Sequence, residues 1–166
     1  MIKLNEAAPE FTGTSTTGAT VKLSALRGKY VVLFFFPKAF TPGCTRESKQ
    51  FSDAYAELKA LGAEVIGVST DDHQTQCEFA ELVGAQYPMI GDADGSIARQ
   101  FDVFWPFLKY VRRVTFIIDT EGIVRAVLNH EARIGKHVDE SVATLQRLQR
   151  KAAPPSSSSS ELPTVP

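Results

Sequence analysis

Residues 34–47 read Phe-Phe-Phe-Pro-Lys-Ala-Phe-Thr-Pro-Gly-Cys-Thr-Arg-Glu. The apolar stretch is typical of a strand and ends at Pro37, the chain turns through Thr41-Pro42-Gly43, and Cys44 enters the predicted first turn of a helix. A helix N-terminus presents unpaired N–H groups and the positive end of the helix dipole, and both favour a thiolate. Because the thiolate is the nucleophilic form of cysteine, the segment predicts a reactive thiol at Cys44.

Outward from this turn, the chain alternates between strand and helix patterns. The continuous apolar run over 30–36 predicts a strand buried on both faces. Further strands are predicted over 64–69, 88–90, 113–119 and 123–128, and helices over 47–61, from Thr70-Asp71-Asp72 to Val83, over 96–101, and along Val138, Val142, Leu145 and Leu148. This order predicts an α/β fold, with a mixed central sheet flanked by helices. It resembles a thioredoxin-like fold that carries an N-terminal extension and an insertion.

The chain of 166 residues suits one domain, predicted over 1–150. Residues 151–166 are dominated by Pro and Ser and cannot bury enough apolar surface to fold alone. We expect a flexible tail there, with a partner-binding segment as the alternative.

Composition excludes several classes of partner. A net charge of −1 gives no reason to expect nucleic acid or an anionic membrane surface. The longest apolar run is too short to span a bilayer, and the polar N-terminus lacks an apolar signal core. Two cysteines are too few for a disulfide scaffold and fit a reducing compartment. We therefore expect a cytoplasmic protein with no membrane partner.

Threonine at position 41 separates this turn from a redox-active dithiol. A dithiol oxidoreductase would carry Cys-x-x-Cys here, whereas this chain has Thr41-Pro42-Gly43-Cys44. A single activated thiol beside a hydroxyl remains, and the hydroxyl can hold a small oxygen-containing substrate.

Pro37-x-x-x-Thr41-x-x-Cys44 resembles the active-site signature of peroxiredoxins, and within them it is most similar to the bacterioferritin-comigratory (PrxQ) group. The resemblance extends over most of residues 3–150, with similar stretches at 8–11, 67–71, 89–92 and 113–119. It implies a thiol peroxidase with a peroxiredoxin-type extension and insertion, which reduces hydrogen peroxide and organic hydroperoxides without metal or other cofactor. Cys44 would become a sulfenic acid, and thioredoxin or another thiol would recycle it.

The resemblance also implies roles for individual residues. Arg113 would supply a fixed positive charge beside Cys44. Thr41 would orient the peroxide, Pro37 would shield the thiolate, and backbone N–H groups at the helix start would act as further donors. Glu47 would support the site by a hydrogen bond to Arg113 or to the loop.

Each of these residues also has an ordinary structural interpretation. Cys44 could be a small buried apolar residue, and Arg113 a surface arginine beside Arg112. Thr41 could be only a turn residue or cap, and Glu47 could simply favour the helix dipole. The second functional hypothesis is a non-catalytic thioredoxin-like binding or chaperone module.

The route that regenerates Cys44 stays open. The position where PrxQ-type enzymes often carry a resolving cysteine is Lys49, and no cysteine follows Cys77. Either Cys77 resolves the sulfenic acid by an intramolecular disulfide, or the enzyme uses one cysteine and an outside thiol. The oligomeric state, monomer or homodimer, is equally open.

Two other sets of residues could in principle form a site. The three histidines and two cysteines include no closely spaced ligand pair, so no metal site is predicted. The aromatic segment 104–110 would either wall the active site, form a dimer contact or pack in the core.

Overall fold

A computed structural model describes residues 2–152, so nearly all of the predicted tail lies outside the described residues. Two short strands, β1 (Thr12–Thr14) and β2 (Thr20–Lys22), form an N-terminal hairpin and lead into a 3-10 helix (Leu23–Leu26). The elements that follow are β3 (Tyr30–Phe35), α1 (Pro42–Asp53), α2 (Tyr55–Ala60), β4 (Ala63–Ser69), α3 (His73–Val83), β5 (Met89–Gly91), α4 (Ser96–Gln100), β6 (Phe104–Trp105), β7 (Tyr110–Val111), β8 (Val114–Ile118), β9 (Val124–Asn129) and α5 (Gly135–Ala152).

Five of these strands form the central sheet, in the order β5-β4-β3-β8-β9. β3, β4 and β5 run parallel to one another, whereas β8 is antiparallel to both β3 and β9. The predicted mixed sheet between helices is therefore confirmed. β3 lies at its centre, so the loop that leaves β3 starts from the middle of the sheet edge.

The side chains of β3 build the core on both faces of the sheet. Val31, Leu33 and Phe35 belong to one buried cluster, and Val32 and Phe34 belong to the other. This confirms the prediction of a strand buried on both faces. The ring of Phe34 also stacks on Phe51 of α1, with centroids 4.3 Å apart, and so fixes α1 against the sheet.

The predicted helix over 47–61 differs from the observed structure in two ways. It begins at Pro42, because proline suits the first helical position, where no intrahelical N–H bond is needed. It is also divided at Ala54, where the backbone leaves the helical region (φ −91°, ψ 0°). Phe51 and Leu58 are nevertheless both fully buried, so α1 and α2 each keep an apolar residue on the sheet.

The predicted ends of α3 are confirmed. Asp72 is the N-cap, and its carboxylate accepts the N–H of Thr75. Gly84 ends the helix in the left-handed conformation, with φ of 66°.

The aromatic segment 104–110 forms a small hairpin of β6 and β7 rather than part of the core. Phe107 at its tip is 98% exposed, and Trp105 and Leu108 are exposed as well. Core packing is therefore the wrong prediction for these three residues, although Phe104 does pack against the core. A wall or dimer contact at this hairpin stays a prediction.

Replacing Gly91 with alanine tests how closely β5 approaches the start of α3. A Cβ at Gly91 would lie 2.7 Å from the carbonyl oxygen of Asp71 and 2.8 Å from backbone atoms of Asp72. Because backbone must shift to relieve this overlap, we expect Gly91→Ala to lower the free energy of unfolding by about 1–3 kcal/mol. Gly135→Ala is the matched control, since a Cβ there meets nothing closer than 4.0 Å. Chemical denaturation measures both, and equal stability of the two variants would contradict the expectation.

Candidate active site

The predicted strand-to-helix turn places Cys44 where the sequence indicates. Cys44 is the third residue of α1, and its side chain is fully buried. The amides of Gly43 and Cys44 belong to the first turn, which has no preceding helical carbonyl groups to bond. Phe40 turns the chain with a left-handed backbone (φ 69°), a conformation that costs a non-glycine residue about 1–2 kcal/mol. Its ring packs edge-on against Phe79 of α3, with centroids 5.3 Å apart.

Arg113 reaches Cys44 from a distant part of the chain. It precedes β8, whose first residue, Val114, pairs with Phe35 at the end of β3. This register brings Arg113 to the start of α1. Nη1–H of Arg113 donates to Oε1 of Glu47 at 2.8 Å. Nη2 lies against the first turn of α1, 3.2 Å from where a Cβ on Gly43, the residue before Cys44, would be. The structure therefore brings together Cys44, Arg113 and Glu47.

Glu131 anchors Arg113 from the other side and is a site residue that sequence reasoning missed. The backbone N–H of Arg113 donates to Oε2 of Glu131 at 3.0 Å, and Nε–H donates to its carbonyl oxygen at 3.1 Å. The hydroxyl of Tyr110 donates to Oε1 of Glu131 at 2.8 Å. Glu131 thus joins the aromatic hairpin to Arg113. It stands alone after β9, without a local motif to identify it.

Burial controls the charges of the Arg113–Glu47 pair. Burial opposes the charged form of Arg113, but the negative charges of Glu47 and Cys44 outweigh it and raise the pKa of Arg113. Burial also raises the pKa of Glu47 to about 7, although Arg113 acts in the opposite direction. Oε2 of Glu47 has no hydrogen-bond partner among the described residues. An ionised Glu47 would leave that oxygen buried and unsatisfied.

His137 of α5 lies behind Glu47, with its Nδ1 3.7 Å from Oε2 of Glu47. Its Nε2–H donates to the carbonyl oxygen of His130 at 2.8 Å, and its Nδ1 accepts the hydroxyl of Thr115 at 2.8 Å. Burial lowers the pKa of His137 to about 4, so the ring is neutral at physiological pH. From the sequence, His137 is only one of three histidines that could be weighed as metal ligands.

Thr41 occupies the N-cap position of α1 without acting as a side-chain cap. Its hydroxyl donates to the carbonyl oxygen of Lys38 at 2.8 Å. Pro37 lies two residues after the end of β3 and is half-buried. Both residues therefore lie in the loop that delivers Cys44, and Thr41 is accessible enough to meet a small ligand.

Asp71 holds this loop in place from the start of α3. Oδ2 of Asp71 accepts the backbone N–H of Ala39 at 2.8 Å and the hydroxyl of Ser69 at 2.7 Å. The sequence indicates for Asp71 only a place in the segment that starts this helix. Its observed role depends on a loop 32 residues away in sequence, which no local pattern indicates.

Cys77 lies on α3, a different helix from the one that carries Cys44, and both cysteines are free. Its Sγ is 3.5 Å from Nε2 of His73, one helical turn earlier. Cys77 is partly exposed, whereas Cys44 is fully buried.

Residues 2–152 contain no group of three or more His, Cys, Asp or Glu side chains that could hold a metal ion. None of their helices is long and apolar enough to cross a membrane.

The chain is similar to known proteins over most of its length. The model of the AhpC/TSA family matches residues 4–127. The chain is 38% identical to a putative peroxiredoxin of Mycobacterium tuberculosis, over 89% of this chain and 99% of that protein. It is 34% identical to the chloroplastic peroxiredoxin Q of Populus jackii, over 89% of this chain and 70% of that protein.

Solved structures give the same picture. The crystal structure of the peroxidoxin BcpB from M. tuberculosis superposes with a TM-score of 0.84, at 38% identity, over 89% of this chain and 99% of that chain. A bacterioferritin comigratory protein from Xanthomonas campestris, whose alkyl peroxide reduction activity is described, superposes with a TM-score of 0.77 at 28% identity, over 83% of this chain and 91% of that chain. The predicted thioredoxin-like α/β fold is thereby confirmed.

The neutral His137 gives stability a specific dependence on pH. Its folded pKa, about 4, lies below its ordinary value of 6.5, so its contribution is present above pH 6.5 and is lost as pH falls through 4. We expect the stability advantage of the wild type over His137→Gln to shrink by about 3 kcal/mol between pH 7 and pH 4. Chemical denaturation at several pH values measures it. A difference that stays constant over this range would contradict the assignment.

Proposed function

The chain belongs to the AhpC/TSA family and is a peroxiredoxin enzyme of the PrxQ type, and we propose that Cys44 is the residue that attacks its peroxide substrate. The observation that carries this proposal is the position of the buried Arg113 guanidinium at the first turn of α1, with Nη2 3.2 Å from where a Cβ on Gly43, the residue before Cys44, would be. A fixed positive charge beside a thiol at a helix N-terminus favours the thiolate, which is the reactive form. The non-catalytic module is set aside, because the family is one of enzymes.

The reaction proposed at this site has a simple atomic balance. The Cys44 thiolate attacks one peroxide oxygen, so that an S–O bond forms as the O–O bond breaks. Sulfur is oxidised to a sulfenic acid, and the second oxygen leaves as hydroxide or alkoxide and takes up a proton. Arg113 stabilises the negative charge as it moves from sulfur to the leaving oxygen. Glu47 supports this role, because its Oε1 accepts the hydrogen bond from Nη1 and so holds that end of the guanidinium.

Thr41 and Pro37 complete the proposed site. The Thr41 hydroxyl can exchange its bond to Lys38 for one to the peroxide, and so orient the bound oxygen atoms. Pro37 limits the access of water to the thiolate. We propose hydrogen peroxide and organic hydroperoxides as substrates, and the alkyl peroxide reduction described for the X. campestris relative supports the second class.

Recycling requires a thiol, and we propose thioredoxin or a comparable dithiol as the donor. The first donor thiol condenses with the Cys44 sulfenic acid to form a mixed disulfide and water, and the second displaces Cys44 as a thiolate. A reducing cytoplasm remains the predicted location. The chloroplastic relatives show that related proteins work in other compartments.

The proposed function predicts a graded loss of peroxide consumption across three variants. Cys44→Ser should abolish turnover, because it removes the nucleophile. Arg113→Lys should lower the rate constant for peroxide by about 10²–10³-fold, since an ammonium lacks the planar fork that fixes the directions of the guanidinium donors. Arg112→Lys is the matched control and should keep the wild-type rate, because Arg112 stacks on Trp105 instead. Equal rates for the wild type and Cys44→Ser would overturn the proposal.

We propose that the enzyme follows the one-cysteine route. An intramolecular disulfide needs the two Cα atoms within about 7 Å. Cys44 is held by the buried Arg113–Glu47 pair and by the Phe34–Phe51 stack, which keep α1 in place. Cys77 sits in a helix that is capped at both ends, so α3 resists local opening as well.

Mapping the oxidised product tests this route. After one equivalent of peroxide, we expect mass spectrometry to find a sulfenic acid on Cys44 and a free thiol on Cys77. Cys77→Ser should give the same product at the same rate. A Cys44–Cys77 disulfide in the wild type would establish the resolving role of Cys77 and refute the one-cysteine route.

A further inference from the structure

We propose that Glu47 and Cys44 share one proton, so that the thiolate forms as Glu47 becomes a carboxylic acid. In this state Arg113 neutralises sulfur, and in the alternative state it neutralises the Glu47 carboxylate. The inference rests on the proposed function of Cys44, and it gives Glu47 a proton-holding role rather than only a structural one.

One positive charge faces two acids in this site. Nη1 of Arg113 lies 2.8 Å from Oε1 of Glu47, and Nη2 lies 3.2 Å from where a Cβ on Gly43, the residue before Cys44, would be. Both acidic side chains are 0% exposed. Two anions against one cation would leave a net negative charge in the interior, and an uncompensated buried charge costs several kcal/mol. The state with one anion is therefore the stable one.

The other groups around Glu47 provide no second cation. His137 on α5 is neutral and presents the acceptor Nδ1. Glu131, in the loop after β9, adds negative charge that opposes ionisation of Glu47. Tyr87, ahead of β5, keeps its proton, because burial raises its pKa far above the ordinary value. Arg113 is thus the only positive charge among the groups of the described chain that act on Glu47.

Glu47 also has room for the proton. Oε1 is bound by Arg113, whereas Oε2 is buried and has no hydrogen-bond partner in the described part of the chain. A bare carboxylate oxygen in that position costs more than a neutral hydroxyl, since burial penalises charge more than polarity. Burial also raises the pKa of Glu47 to about 7, within reach of physiological pH.

Glu47 releases its proton when Cys44 is oxidised. The starting state holds a Cys44 thiolate and a Glu47 acid, and the product state holds a neutral sulfenic acid and a Glu47 carboxylate. The proton released by Glu47 balances the one that the leaving hydroxide or alkoxide takes up, through exchange with water. Atoms and charge balance over the step: sulfur is oxidised, the peroxide is reduced, and Arg113 keeps one anion throughout.

Infrared difference spectroscopy of the reduced protein tests the shared proton directly. At a pH well above the Glu47 pKa of about 7, where an independent Glu47 would be ionised, the wild type should show the carbonyl band of a buried protonated carboxyl. Glu47→Gln should remove this band, and so should Cys44→Ser, because Glu47 then becomes the sole anion beside Arg113. Glu57→Gln, an exposed carboxyl on α2, is the matched control and should leave the band unchanged. A band that persists in Cys44→Ser, or is missing from the wild type, would overturn the proposal.

Titration of the thiolate by its ultraviolet absorbance gives a second, independent readout. Glu47→Gln keeps an acceptor for Arg113 but removes the competing charge, so we expect the ratio of thiolate to thiol to rise about tenfold near neutral pH. A purely positioning role predicts an unchanged or lower ratio, which would overturn the proposal. If Glu47→Gln fails to fold, the infrared comparison of wild type and Cys44→Ser still decides.

Neither measurement uses peroxide, so the two proposals fail separately. A protein that shares the proton but consumes no peroxide would refute only the proposed function. A protein that consumes peroxide while Cys44 and Glu47 titrate independently would refute only the shared proton.

Discussion

The guanidinium of Arg113 is a single positive charge enclosed by protein, and the arrangement of the site follows from the need to balance it. The antiparallel register of β8 against β3 carries the guanidinium to the first turn of α1. Glu131 fixes its backbone and Nε, and Glu47 holds Nη1. The positive charge of the guanidinium also acts on Cys44. An arginine serves here because its planar fork donates in several fixed directions at once and cannot lose its proton.

Sequence reasoning succeeded where neighbours along the chain define the structure. Pro37, Thr41 and Cys44 lie in one turn between a strand and a helix, so their spacing alone indicates their proximity. The central position of β3 was also predictable, because a run that is apolar at every residue needs cover on both faces. Arg113 required the resemblance to a family, since its partner Glu47 is 66 residues distant in sequence.

The remaining features depend on tertiary contacts that carry no local pattern. Glu131 and His137 look like ordinary residues of a loop and a helix until the fold brings them to Arg113 and Glu47. The hairpin of β6 and β7 escaped prediction because each strand has two residues, too few to show an alternating pattern. The division between α1 and α2 at Ala54 has no signal in the sequence either, since alanine is the best of helix formers.

The carboxylate of Asp71 couples the positions of the two helices that carry cysteines. It belongs to the segment that leads into α3, and it accepts a hydrogen bond from the amide of Ala39 in the loop that leads into α1. Phe40 and Phe79 form a second contact between the same two segments. If the loop moves away from the sheet, either the first turn of α3 must move with it or the hydrogen bond between Ala39 and Asp71 must break. The position of Cys44 is therefore stabilised in part by a hydrogen bond that lies outside its own helix.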